Sequence, residues 1–157
     1  MTGIRSLMVG DTGTTGCKVP KKRFHHTPER VERLGANAAS HRPYPFNIRD
    51  PRSTDGEHVP GDLTSGSYMR RAHELDLVIA YGNRPQQQLS LQQIMQDDEE
   101  LLARVLEYEP NVALTSNWTG CKIIDTRTED AGATDPPPLR LLYITIEVSH
   151  RERRLDE

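Results

Sequence analysis

The residue types able to do chemistry are scattered along this chain rather than gathered at diagnostic spacings. The run Gly10-Asp11-Thr12-Gly13-Thr14-Thr15-Gly16-Cys17-Lys18 has the composition of a loop whose backbone N–H groups cradle phosphates. It does not match GxxxxGK-[S/T], because Cys17 separates Gly16 from Lys18 and Val19 stands where Ser or Thr is required. The histidines, at 25, 26, 41, 58, 73 and 150, lack the HxH or HxxxH spacing that brings two imidazoles onto one face of a strand or helix, so no metal is predicted. Asp97, Asp98, Glu99 and Glu100 are consecutive; on a helix they fan out in different directions, which suits a solvated face better than a matched acid/base pair. No GxSxG, Ser-His-Asp or Cys-His pattern is recognisable, and the expectation is a protein without enzymatic activity and without a cofactor.

Two features point to interaction instead. Lys21, Lys22 and Arg23 open the basic cluster KKRFHH, and residues 1–42 carry eight Lys/Arg against three Asp/Glu, whereas 43–157 carry twelve against twenty. A basic first part can meet an acidic second part in a neighbouring copy, and the candidate contacts are Lys21, Lys22 and Arg23 against Asp97, Asp98, Glu99 and Glu100. Trp118, the sole tryptophan, is either an interface anchor or a lid over the end of the core.

The elements that must position these residues fit one domain of 157 residues. Its composition is lean, with 34% hydrophobic and 27% charged residues and a mean hydropathy of −0.70, so part of the chain is expected to lie outside the core. No apolar run approaches the ~18 residues of a membrane helix, and the N-terminal one is too short for a signal peptide. Cys17 and Cys121 are read as free thiols. Residues 1–26 read as a flexible basic arm, 27–150 as a single α+β domain and 151–157 as a charged tail.

Within the domain, Thr27-Pro28 marks the start of a short helix over 29–40. Tyr44, Phe46 and Ile48 alternate as a strand that Pro45 confines to a sheet edge or bulge. Residues 50–67 are a loop. Leu75, Leu77, Ile79 and Tyr81 mark a strand over 68–81, and Ser90 with Gln93 suggests a capping box at the start of the main helix, about 90–108. Asp98 interrupts that helix's apolar stripe, leaving open a break with Asp97 as a second N-cap. Strands 120–128 and 139–149, joined through Pro136-Pro137-Pro138, make a hairpin, and the face formed by Leu142, Ile144, Ile146 and Val148 needs the helix as cover. The predicted fold is α+β, an antiparallel β-sheet flanked by one main helix and one short N-terminal helix.

The segments HELDLVIAYG (73–82), DDEELLARVLEYEPNV (97–112), Trp118-Thr119-Gly120, CKIIDTRTED (121–130) and LRLLYITIEVSHRE (139–152) resemble the tail terminator proteins of long-tailed bacteriophages. That resemblance covers about half the chain and rests on the order and character of the elements. It implies a homohexameric ring in the virion neck, assembled in the host cytoplasm, that caps the finished tail tube and forms the surface for head-tail joining. The partners it implies are further copies of the chain, the tail tube protein and the head-tail connector or stopper protein, with no membrane and with DNA at most passing through the ring lumen. The front of the chain departs from the family, which usually begins with a recognisable helix. Two other readings stand beside this one: a small binding module that uses the basic arm for nucleic acid or an acidic partner, and a small enzyme with a dispersed site.

Overall fold

The computed structural model describes residues 2–53, 68–83, 88–114, 118–134 and 136–153. Among these the elements in chain order are helix α1 (Thr2–Val9), strand β1 (Phe24–His26), two 3-10 turns (Val31–Arg33 and Ala36–Ala39), strands β2 (Tyr44–Ser53) and β3 (Tyr68–Gly82), helices α2 (Gln88–Leu106) and α3 (Glu109–Val112), and strands β4 (Trp118–Ala131) and β5 (Leu139–Arg153). The strands form one sheet in the order β1-β2-β3-β5-β4, antiparallel except where β1 runs parallel to β2. The fold is therefore α+β, a mostly antiparallel sheet with one main helix and one short N-terminal helix. No helix among the described residues is long and apolar enough to cross a membrane.

Period-two alternation sets the two faces of the central strands β3 and β5. Leu75, Leu77, Ile79 and Tyr81 on β3 and Leu142, Ile144, Ile146 and Val148 on β5 turn to one side. There they meet Leu91, Met95, Leu102, Val105 and Leu106 of α2, and Ile4, Leu7 and Met8 of α1. Each such side chain, fully buried, contributes roughly 1.5–3 kcal/mol. On the opposite side Val78, Ala80, Leu139, Leu141 and Tyr143 form a second, smaller core under Val31 and Ala39 of the 3-10 turns. The same strands thus carry two layers of cover at one end and a polar outer face at the other, where Thr145 donates to Asp76 at 2.7 Å.

The structure departs from the sequence reading mainly at the front. The segment expected to be an arm opens with α1, whose Ile4, Leu7 and Met8 follow the i, i+3, i+4 spacing of one helical stripe and are buried. The helix ends at Gly10, which has φ 81°, and the Asp11 N–H donates back to the Ser6 carbonyl at 2.9 Å. A Cβ at Gly10 would lie 2.4 Å from the Val19 carbonyl oxygen, so side-chain bulk is excluded as well as the conformation favoured. The helix predicted over 29–40 is instead the two 3-10 turns, separated by extended Leu34 and Gly35.

Further along, Pro45 marks neither a sheet edge nor a bulge: β2 lies between β1 and β3 with Pro45 paired to His25, and the proline is tolerated because the β2–β3 register begins one residue later, at Phe46, so its missing N–H costs no ladder bond there. Ser90 and Gln93 do not cap the main helix, because α2 is already under way at Gln88 and Gln93 donates to Asp97 at 2.9 Å. No break occurs at Asp97. Pro110 occupies the first turn of α3, a short helix not anticipated from the sequence. The hairpin pairs antiparallel, as predicted, but is longer, with bulges in β4 between Trp118 and Gly120 and between Ile123 and Asp125. Most of the expected loop, 54–67, and the tail residues 154–157 lie outside the described residues.

Candidate interaction surfaces

Two of the candidate residues meet in a buried polar node, and most of the others lie on an exposed rim. Asp98 lies on the inner stripe of α2, where its side chain is 0% exposed. Its Oδ1 accepts from Arg23 Nη2 at 2.6 Å and Nε at 2.9 Å, and from Arg42 Nη2 at 3.0 Å. Its Oδ2 accepts from the Tyr81 hydroxyl at 2.7 Å. A buried carboxylate persists only where opposite charges and donors replace its lost water, and this one has both. The Tyr81 hydroxyl is held well above the usual tyrosine range, first by burial and then by the adjacent Asp98 charge. Arg42 also stacks over Tyr44 with its guanidinium carbon 5.0 Å from the ring centroid.

Of the eight candidate interface residues, Arg23 and Asp98 therefore meet inside a single chain. This is a correction in role: Asp98 does not belong to a solvated acidic face and offers nothing to a neighbouring copy. Its interruption of the apolar stripe is the sequence signal of a buried, paired carboxylate, and its other partners, Arg42 and Tyr81, lie too far away in sequence for spacing to reveal them. The remaining candidates are placed differently. Lys21 and Lys22 are exposed, with Lys22 at φ 67°. Asp97 and Glu100 are exposed on α2, and Glu99 is half-buried and lines a cleft with Thr128 and Arg140. Trp118 begins β4; its side chain lies outside the described residues.

A second node was not anticipated. Asn111 of α3 is buried. Its Oδ1 accepts from the Thr14 N–H at 2.8 Å and hydroxyl at 2.9 Å, and its Nδ2 donates to the carbonyls of Cys17 and Val105, both at 2.9 Å. The Gly/Thr-rich run is thus tied as a tight turn, bridged between Thr14 and Cys17, against the end of the helical layer.

The outer faces are polar with isolated apolar tips. Leu89 is 85% exposed, and Leu114, Ile124 and Tyr108 are also exposed. A cleft of about 380 Å³ between α3 and β4 is lined by Glu107, Glu109, Val112 and Cys121. The Cys121 thiol there is pushed up to about 12 by burial and by Glu107, so at neutral pH it is not a thiolate nucleophile. Across the sheet, Glu32 pairs with Arg49. Burial opposes the Glu32 carboxylate's charge, but Arg49 outweighs it and the pKa falls. Arg127 lies over the Tyr143 ring at 4.3 Å. Among the described residues no three of His, Cys, Asp and Glu converge where a metal ion could sit. No protein-family model matches the sequence, and a search of curated proteins finds no matching relative.

Proposed function

We propose that this chain is a structural virion subunit of the tail-terminator kind, which caps a completed phage tail tube as a ring and provides the surface for head-tail joining. The observation that carries the reading is the resemblance of residues 73–152 to that family, and the segments bearing it fold as one continuous piece. Strand 73–82 lies inside β3, 97–112 spans the second half of α2 and all of α3, and 121–130 and 139–152 are the hairpin β4–β5. These elements form the contiguous β3-β5-β4 part of the sheet and its helical cover. Exposed apolar side chains at Leu89, Leu114 and Ile124, on separate elements, are the kind of tips that a subunit docked on several neighbours would bury.

In this role the protein catalyses no reaction, sits at the head-proximal end of the tail, and uses separate surfaces for ring neighbours, tube and connector. The test is genetic and structural together. A long-tailed virus deprived of this chain should accumulate filled heads apart from tails, with tubes that cannot join. The purified chain added back should restore joining and be visible at one end of the tubes. Infectious particles formed normally without it, or turnover of a small molecule by the pure protein, would overturn the proposal.

A further inference from the structure

The sheet has two ends, and they are finished very differently. At one, β1 is three residues long, and the Asn47 side chain donates to the Thr27 and Glu29 carbonyls beside it, so the following chain covers β2. At the other, β4 runs for 14 residues with no strand beyond it among the described residues. An open edge of this length is a template for another strand unless something blunts it. The first half of β4 is blunted, by two bulges and by the Glu107 carboxylate, which accepts the Ile123 N–H at 3.1 Å. The second half, 125–131, is in regular register with β5.

Which main-chain groups of that second half face outward follows from the register. The Tyr44 N–H donates to the Arg23 carbonyl and the Thr27 N–H to the Phe46 carbonyl, so those residues of β2 bond outward to β1 and Asn47 turns to β3. Hydrogen-bonding direction alternates along a strand, and it carries across the pairs Asn47–Val78, Leu77–Ile144 and Tyr143–Arg127. Arg127 and Glu129 therefore spend their main-chain groups on β5. Thr126, Thr128 and Asp130 point theirs away from the sheet.

We infer that this edge pairs with the same edge of a second copy, antiparallel about a two-fold axis at Thr128, joining two sheets into one. In that register the outward groups meet as Thr128 with the partner's Thr128 and Thr126 with the partner's Asp130, in both directions. Between them Arg127 stands opposite the partner's Glu129, and Glu129 opposite the partner's Arg127. Thr–Thr and opposite-charge pairs are the favourable cross-strand neighbours, and like charges directly opposite are unfavourable. The neighbouring registers fail on this count or on geometry. Axes at Arg127, Glu129 or Asp130 set each of these charges against itself, and an axis at Thr126 runs the ladder into the bulge at Ile123–Asp125. Within one chain Arg127 Nε donates to Glu129 at 3.2 Å, both side chains being about half exposed, so the two groups are available for exchange with a partner. The contact is isologous and cannot by itself close a ring. It therefore goes beyond the proposed function.

The test is the mass of the full-length purified chain, by sedimentation or light scattering, across a concentration and salt series, with no tail or head component present. The wild type should approach the mass of two chains at high concentration and low salt. Arg127→Glu and Glu129→Arg should each halve it, and the double swap, Arg127→Glu with Glu129→Arg, should restore it. Thr128→Pro removes only an outward N–H and should also give single chains, with an unchanged circular dichroism spectrum confirming the fold. A wild type that stays a single chain throughout, or an assembly whose mass none of these folded variants changes, overturns the inference. Either result leaves the head-tail joining assay unaffected, so the two ideas fail separately.

Discussion

Replacing Asp98 by Ala should be the most damaging single change available to the polar part of this structure. The carboxylate is fully buried and is the acceptor for two guanidinium groups and one hydroxyl. Without it, the Tyr81 hydroxyl remains in a site 0% exposed with no acceptor, which costs about 1–3 kcal/mol. The arginines lose their counter-charge, but with side chains 23% and 34% exposed they recover part of their hydration. Removing one partner of a fully buried pair costs about 3–5 kcal/mol, so partial rehydration places the sum near the lower end, about 3–4 kcal/mol. Against a typical domain stability of about 5–15 kcal/mol that is a large fraction. Urea unfolding followed by circular dichroism reads it as a fall in midpoint at constant slope. Tyr81→Phe, which removes one donor to that carboxylate and leaves both arginines in place, should lose less, about 1.5–3 kcal/mol. An Asp98→Ala protein within about 0.5 kcal/mol of wild type would refute the reasoning, since that is what a solvated surface carboxylate would give.

Ile144→Asp should abolish soluble protein, because Ile144 is 0% exposed in the main core beneath α2, and recovery of a folded soluble variant would show the facing of β5 to be wrong. Asn111→Ala leaves the Thr14 donors and the Cys17 and Val105 carbonyls short of a partner; about 2–3 kcal/mol should be lost and limited proteolysis should open first near residues 11–18. His26 has its pKa lowered from 6.5 by burial, then by Arg5 and His25. The unfolded chain therefore takes up the proton first, and the stability contribution of neutral His26 is complete above about pH 6.5 and declines as pH falls toward the lower folded value. His26→Gln should flatten that part of the stability profile, measured by thermal melts between pH 5 and 8.

How far the sequence could be read depended on whether a residue's partners were local. Strand β3, the hairpin β4–β5 and helix α2 were legible because Leu75 to Tyr81, Leu142 to Val148 and Leu91 to Leu106 each declare one apolar face by their own spacing. Helix α1 was not, because eight residues including Thr2, Gly3 and Ser6 have weak helix propensity and gain their stability from packing on β1 and α2. The predicted helix over 29–40 failed for the converse reason: its cap signal at Thr27-Pro28 was sound, but Gly35 and a stripe of only Val31, Leu34 and Ala38 could not sustain helix across it. At the polar nodes the sequence showed one half of each bond. Asp98 broke a stripe and so announced itself, whereas Arg23, Arg42 and Tyr81 lie 75, 56 and 17 residues away. Asn111 gave no signal, since a lone Asn after Pro110 reads as an ordinary turn residue.

The placement of α1 has a consequence for the order in which the protein can be made. Its buried residues, Ile4, Leu7 and Met8, pack on β1, which follows soon after, and on α2, which is made some 80 residues later. The anchors that fix the segment behind them, Asp98 for Arg23 and Asn111 for Thr14, are translated some 75 to 97 residues later. At about 5–20 residues per second α1 waits several seconds for the α2 side of its site. Through that interval the nascent chain displays a short apolar segment next to a basic one, open to solvent until its own core is complete.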